Sequence, residues 1–131
     1  MQRIAVVDLG TGNLHSVAKA LEKVAPQARV TVSADPVQLH DASHVVLPGQ
    51  GAIGSWLGAL NDSGLRDVIA QAMVCRPLLG ICVGMQALFD HSDEDGGVQG
   101  LGVVPGVVHR SRHSRDDPKT RLKVPHMGWN N

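Results

Sequence analysis

The chain has no excess charge of either sign: twelve Lys and Arg balance twelve Asp and Glu over 131 residues. Binding nucleic acid or an anionic membrane through charge requires a basic field, and this composition supplies none. Cysteine is scarce. Cys75 and Cys82 are the only two; so close in sequence, they make no disulfide framework, and no Cys-x-x-Cys metal spacing exists. Reduced thiols in a cytoplasmic setting fit this usage best. No apolar run reaches the length that spans a bilayer, and Met1–Val7 is too short for a signal peptide.

What is present is the apolar share of an ordinary globular protein, 43%. A chain of this size buries roughly two-thirds of its unfolded surface, enough for a real core. Residues 1–131 are therefore read as one domain.

Apolar runs alternate with helical spacings along the chain. Arg3–Val7 reads as a buried strand, followed by the loop Asp8–Asn13. Leu14, Val17, Ala18 and Leu21 then recur at helical spacing up to Val24, with Asn13 placed to cap that helix. The Gly10-Thr-Gly12 pair invites a dinucleotide-binding reading. It fails, because the third glycine of that fingerprint would fall on His15. Arg29–Ser33 and His44–Leu47 are further strands, separated by a short helical turn or loop over Pro36–Ala42. Pro48-Gly-Gln-Gly-Ala-Ile-Gly54 follows at once, a loop able to bring backbone N–H groups close to a ligand. Ile53–Leu60 and Leu65–Met73 read as helical, interrupted around Asn61–Gly64. His91–Gly100 is acidic and glycine-rich and reads as a surface loop. Gly102–Val108 and Arg121–Val124 read as strands around a charged segment, Arg110–Lys119. Strands alternating with helices imply an α/β fold, a mostly parallel central sheet with helices on both faces.

The stretch Pro77–Gln86 organises the rest. Leu78, Leu79 and Ile81 suit a short buried strand, and Gly80 and Gly84 flank Cys82 in the spacing of a nucleophile elbow, with Cys in place of Ser. The chain must leave a strand, turn sharply and enter a helix, expected over Val83–His91. Cys82 would then meet the unpaired N–H groups of that helix, an environment that makes a thiol reactive. The blander reading is that Cys82 is one more small buried apolar residue. Two glycine-bearing strand-to-helix turns on the carboxyl edge of one sheet, Pro48–Gly54 and Cys82, favour chemistry, because ligands bind at that edge.

Four segments carry a family resemblance: Asp8-Leu-Gly-Thr-Gly-Asn-Leu-His-Ser16, Leu47-Pro-Gly-Gln-Gly51, Gly80-Ile-Cys-Val-Gly-Met-Gln86 and Val124-Pro-His-Met-Gly-Trp-Asn130. Together they resemble the class I (triad) glutamine amidotransferases, which have a flavodoxin-like parallel sheet. The first and last segments are most similar to the glutaminase subunits of imidazole glycerol phosphate synthase. The resemblance implies that Cys82 is the nucleophile and that the backbone N–H of Val83 is one oxyanion donor. It implies that the loop Gly49-Gln50-Gly51 supplies a second donor after rearrangement, and that Gln86 helps hold the bound glutamine. Asn13, His126, Met127, Trp129 and Asn130 would lie on the face toward the partner. Two departures from the family are small: Leu9 replaces a frequent aromatic residue, and Gln50 a frequent valine.

What the resemblance implies in function is hydrolysis of L-glutamine to glutamate and ammonia through a Cys thioester. Ammonia would pass to the cyclase (synthase) subunit of a heterodimer in histidine biosynthesis, with no metal or organic cofactor. The family completes its triad with a His and a Glu in a C-terminal His-Pro-Glu type segment. No such segment occurs here. His15, His109, His113 and His126 read as surface or interface residues, so the expectation is a C-terminally truncated chain that is inactive alone. Two alternatives stand beside this reading. One is a non-catalytic binding or oligomerising fragment. The other is a PfpI-like cysteine hydrolase, against which Val83 argues, since those proteins usually carry His directly after the Cys.

Overall fold

The computed structural model describes residues 1–10 and 12–109. Four strands form a parallel sheet: β1 (Arg3–Val7), β2 (Arg29–Ser33), β3 (His44–Gly49) and β4 (Leu78–Cys82), in the order β2-β1-β3-β4. Parallel neighbours share faces in register, so the alternating residues of β1 build two separate cores. Ala5 and Val7 join Val45 and Leu47 beneath α2 (Pro36–Asp41), α3 (Ile53–Ser63) and α4 (Arg66–Cys75). Ile4, Val6 and Val46 face the other way and meet α1 (Leu14–Val24) through Leu14, Val17 and Leu21. The expected sheet with helices on both faces is therefore observed.

Local chemistry sets the helix ends. Asn13 caps α1, its Oδ1 accepting the Ser16 N–H at 3.2 Å. Asp35 caps α2 by accepting the Val37 N–H at 3.0 Å, with Pro36 at the first helical position, where a missing N–H costs nothing. The expected interruption of α3 around Asn61–Gly64 narrows to its end: the helix runs through Ser63 and stops at Gly64, whose φ of 74° lies in the left-handed region. The third strand reaches two residues beyond its expected end, to Gly49, because Leu47, Pro48 and Gly49 pair in register with Gly80, Ile81 and Cys82 of β4.

The segment after the elbow departs from expectation. No helix runs to His91: α5 covers only Val83–Gln86, and β5 follows over Phe89–Ser92. The carbonyls of Ala87 and Leu88, which a longer helix would use internally, instead accept the N–H groups of Leu101 (2.8 Å) and Val103 (2.8 Å). A second, three-stranded sheet results, ordered β6-β5-β7, with β6 at Val98–Gln99 and β7 at Val104–Val108. His91–Gly100 is accordingly not a plain surface loop. It contains the end of β5, a 3-10 turn over Glu94–Gly96, and β6. The strand expected over Arg121–Val124 lies outside the described residues.

Candidate active site

Cys82 closes β4 with φ 53° and ψ −120°. Apart from Asp95, no other non-glycine residue among those described has positive φ. An L-residue in that region costs about 1–3 kcal/mol and needs surroundings that enforce it. The enforcement is visible in the neighbours. A β-carbon on Gly84 would run into the carbonyl oxygen of Leu47, and one on Gly80 would sit 2.7 Å from the Cα of Met85. Strand, turn and first helical residues thus pass too close for side chains at the two positions flanking the elbow. Cys82 itself is exposed and unbonded to other cysteine, as is Cys75. Cys75 ends α4, ahead of β4 and therefore at the opposite, amino edge of the sheet.

The glycine loop lies against the elbow. Gly49 is the register partner of Cys82 across β3 and β4. A β-carbon at Gly49 would come within 2.9 Å of both Val83 Cβ and Trp56 Nε1, and would also clash with the backbone N of Gly84. Gly51 has φ 82°. The Gln50 side chain approaches the first loop: a β-carbon at Gly12 would stand 3.4 Å from its Cβ. Residue 12, the glycine loop and the thiol therefore share one edge, and Asn13, next to Gly12, is exposed there. Gln86 sits on the single turn of α5, with its Oε1 buried and without a hydrogen-bond partner among the described residues. Burying an unpaired amide oxygen costs about 1–3 kcal/mol, so such a group in a folded protein calls for an explanation.

None of the described residues hydrogen-bonds the Cys82 sulfur, which is free and exposed. His109 instead pairs with Asp93 through Nδ1 at 2.8 Å, just past the ends of β7 and β5. His44 starts β3 at the amino edge, and His15 lies in the first turn of α1. No group of three His, Cys, Asp or Glu among the described residues is arranged to hold a metal ion, and no helix among them is long and apolar enough to cross a membrane. The remaining sites expected from sequence, His126, Met127, Trp129 and Asn130, lie outside the described residues. Reading the sequence missed two side chains that brace the loop, Trp56 and Asp95. Trp56 Nε1 donates to the Pro48 carbonyl at 3.2 Å, and Asp95 Oδ2 accepts the Gly54 N–H at 2.9 Å.

Comparison with known proteins bears on the fold and the family. Solved structures share the fold: a peptidase E protein from Listeria monocytogenes superposes with TM-score 0.56 at 15% identity, covering 69% of this chain and 50% of that one. A GMP synthase protein from Thermoplasma acidophilum does so with TM-score 0.50 at 30% identity, covering 66% and 42%. Among curated relatives, the imidazole glycerol phosphate synthase subunit HisH of Nitrosospira multiformis is 52% identical over 132 residues, 99% of this chain and 62% of the relative. The same subunit of Thiobacillus denitrificans is 52% identical over 130 residues, 98% of this chain and 57% of the relative. The chain thus spans about three-fifths of the relatives it matches. The family model for class-I glutamine amidotransferases matches residues 5–131. With nearly the whole chain inside that match and a cysteine elbow at the sheet's carboxyl edge, the chain belongs to the class-I glutamine amidotransferases.

Proposed function

We propose that the chain carries the nucleophile half of the glutaminase subunit of imidazole glycerol phosphate synthase, acting in histidine biosynthesis in the cytoplasm. The observation that carries the reading is the strained, exposed Cys82 with the glycine loop in register beside it. The relatives of about 50% identity, each described as subunit HisH of imidazole glycerol phosphate synthase, support this branch of the family.

The proposed chemistry follows from the groups on the edge. The Cys82 thiolate attacks the carboxamide carbon of glutamine. Charge then develops on the amide oxygen, where the N–H of Val83 and one from the Gly49–Gly51 loop stabilise it; losing one such donor typically costs about 3–4 kcal/mol. The C–N bond breaks as an acid–base group in its protonated form gives its proton to the departing ammonia, and the same group, now deprotonated, takes a proton from the water that hydrolyses the thioester to glutamate. Gln86, with its unpaired carboxamide oxygen, holds the substrate. Among the described residues no such group hydrogen-bonds Cys82. In the proposed full subunit it is the family's His, oriented by Glu, from the part of the relatives that this chain does not match. Asn13, His126, Met127, Trp129 and Asn130 form the face toward the cyclase subunit of the heterodimer, which receives the ammonia. The reaction as written uses no metal or organic cofactor.

The experiment is competitive alkylation with mass-spectrometric mapping, in the presence and absence of L-glutamine. Cys82 is expected to be labelled ahead of Cys75, and glutamine to slow Cys82 alone. Faster labelling of Cys75, or no protection by glutamine, overturns the assignment.

A further inference from the structure

The glycine loop is fastened at both ends by side chains that the family motif does not include. At its entrance, Trp56 Nε1 holds the Pro48 carbonyl at 3.2 Å. The indole is a firm anchor, 1% exposed in the main core. At its exit, the loop passes into α3 without a cap of its own, since Ala52 offers no side-chain acceptor. The missing acceptor comes from 41 residues away: Asp95 Oδ2 takes the Gly54 N–H at 2.9 Å. The fit is close, because a β-carbon on Gly54 would lie 2.8 Å from that same oxygen. Asp95 adopts φ 54° inside the 3-10 turn that follows β5. Asp tolerates this conformation better than most residues, though at a cost.

From this we infer that Asp95 is a positioning residue for the oxyanion loop. Together with Trp56 it fixes the two ends and leaves Gln50–Gly51 as the segment that turns a backbone N–H toward the thiol. The inference deepens the glutaminase reading and rests on it. Its physical basis is simple. A backbone donor stabilises a developing charge only when it is held in place before the reaction. A short loop pinned at Pro48 and Gly54 has few other conformations to visit. The 3-10 turn that follows β5 then contributes to the site through one carboxylate.

The test compares Asp95→Ala and Asp95→Asn with the native chain, using two reagents for Cys82. One is a diazo-ketone analogue of glutamine, whose ketone oxygen occupies the place of the amide oxygen. The other is methyl methanethiosulfonate, which needs no oxyanion donor. Asp95→Ala is expected to slow the analogue about tenfold, a fraction of the 10²–10³ lost with a whole donor. The small reagent should change by less than about twofold, because the elbow itself is untouched. Asp95→Asn keeps an acceptor oxygen and should restore the analogue's rate. Equal effects on both reagents, or none on the analogue, overturn the inference and leave the glutaminase reading standing. If the native chain shows no preference of the analogue for Cys82, the glutaminase reading has failed instead. Amide hydrogen exchange then still decides the tether. Faster exchange at Gly54 and the adjoining loop in Asp95→Ala, but not in Asp95→Asn, supports it. Unchanged exchange overturns it.

Discussion

At the residue scale, the elbow is held by what its neighbours lack. Cys82 keeps an unfavourable φ because Gly80 and Gly84 let the strand, the turn and α5 close around it. The obstacle at Gly84 is the Leu47 carbonyl, backbone that cannot swing aside. Gly84→Ala is therefore expected to destabilise the chain by about 1–3 kcal/mol and to erase the preference of alkylation for Cys82. Thermal unfolding and mapped labelling measure the two effects. These glycines were legible in the sequence because their spacing around one cysteine is itself the signal. Trp56 and Asp95 were not. Each acts on a backbone group, Pro48 O and Gly54 N–H, which any residue presents, so no side-chain pattern marks the partnership.

Helices and strands were read from the sequence wherever the pattern is local. Arg29–Ser33, with its β-branched residues, and Leu14–Val24, with its helical spacing, match their expected bounds. The helix expected over Val83–His91 fails for the complementary reason. Only Gly84 among those nine residues weighs against a helix, and the strand at Phe89–Ser92 exists because β6 and β7, further along the chain, complete its ladder. Tertiary pairing overrides propensity there. Asn13 illustrates how one residue is claimed at two levels. The family resemblance assigns it to the partner face, while the structure accounts for it as the cap of α1. If capping is its local role, Asn13→Ala costs about 1 kcal/mol of stability and leaves the labelling rate of Cys82 unchanged. Asn13→Ser, which retains an acceptor, should recover the stability. A slowed Cys82 in the alanine variant would show that the first loop also shapes the site.

For the molecule as a whole, the sheet is unequally covered. Among the described residues, three helices shield the face of Ala5 and Val7, whereas α1 alone stands on the face of Ile4 and Val6. On β4 the cover is incomplete: Ile81 packs against this cluster, but Leu79 is 53% exposed. A groove of about 220 Å³ runs there between Ile4, Leu21, Val46 and Leu79. Along the sheet, β4 is also an edge, paired only with β3 among the described residues. A parallel strand is normally buried on both faces, and an open apolar edge invites pairing with another chain. The 131-residue chain is therefore expected to self-associate, with an apparent mass that rises above 13.8 kDa as concentration increases. Leu79→Lys puts a charge on that edge without entering either core, since the side chain is more than half exposed already. Sedimentation should then return the variant to a monomer at concentrations where the native chain associates, with a melting temperature within a few degrees. Association undiminished in Leu79→Lys would place the sticky surface elsewhere, on the exposed valines of β7, Val104 and Val107.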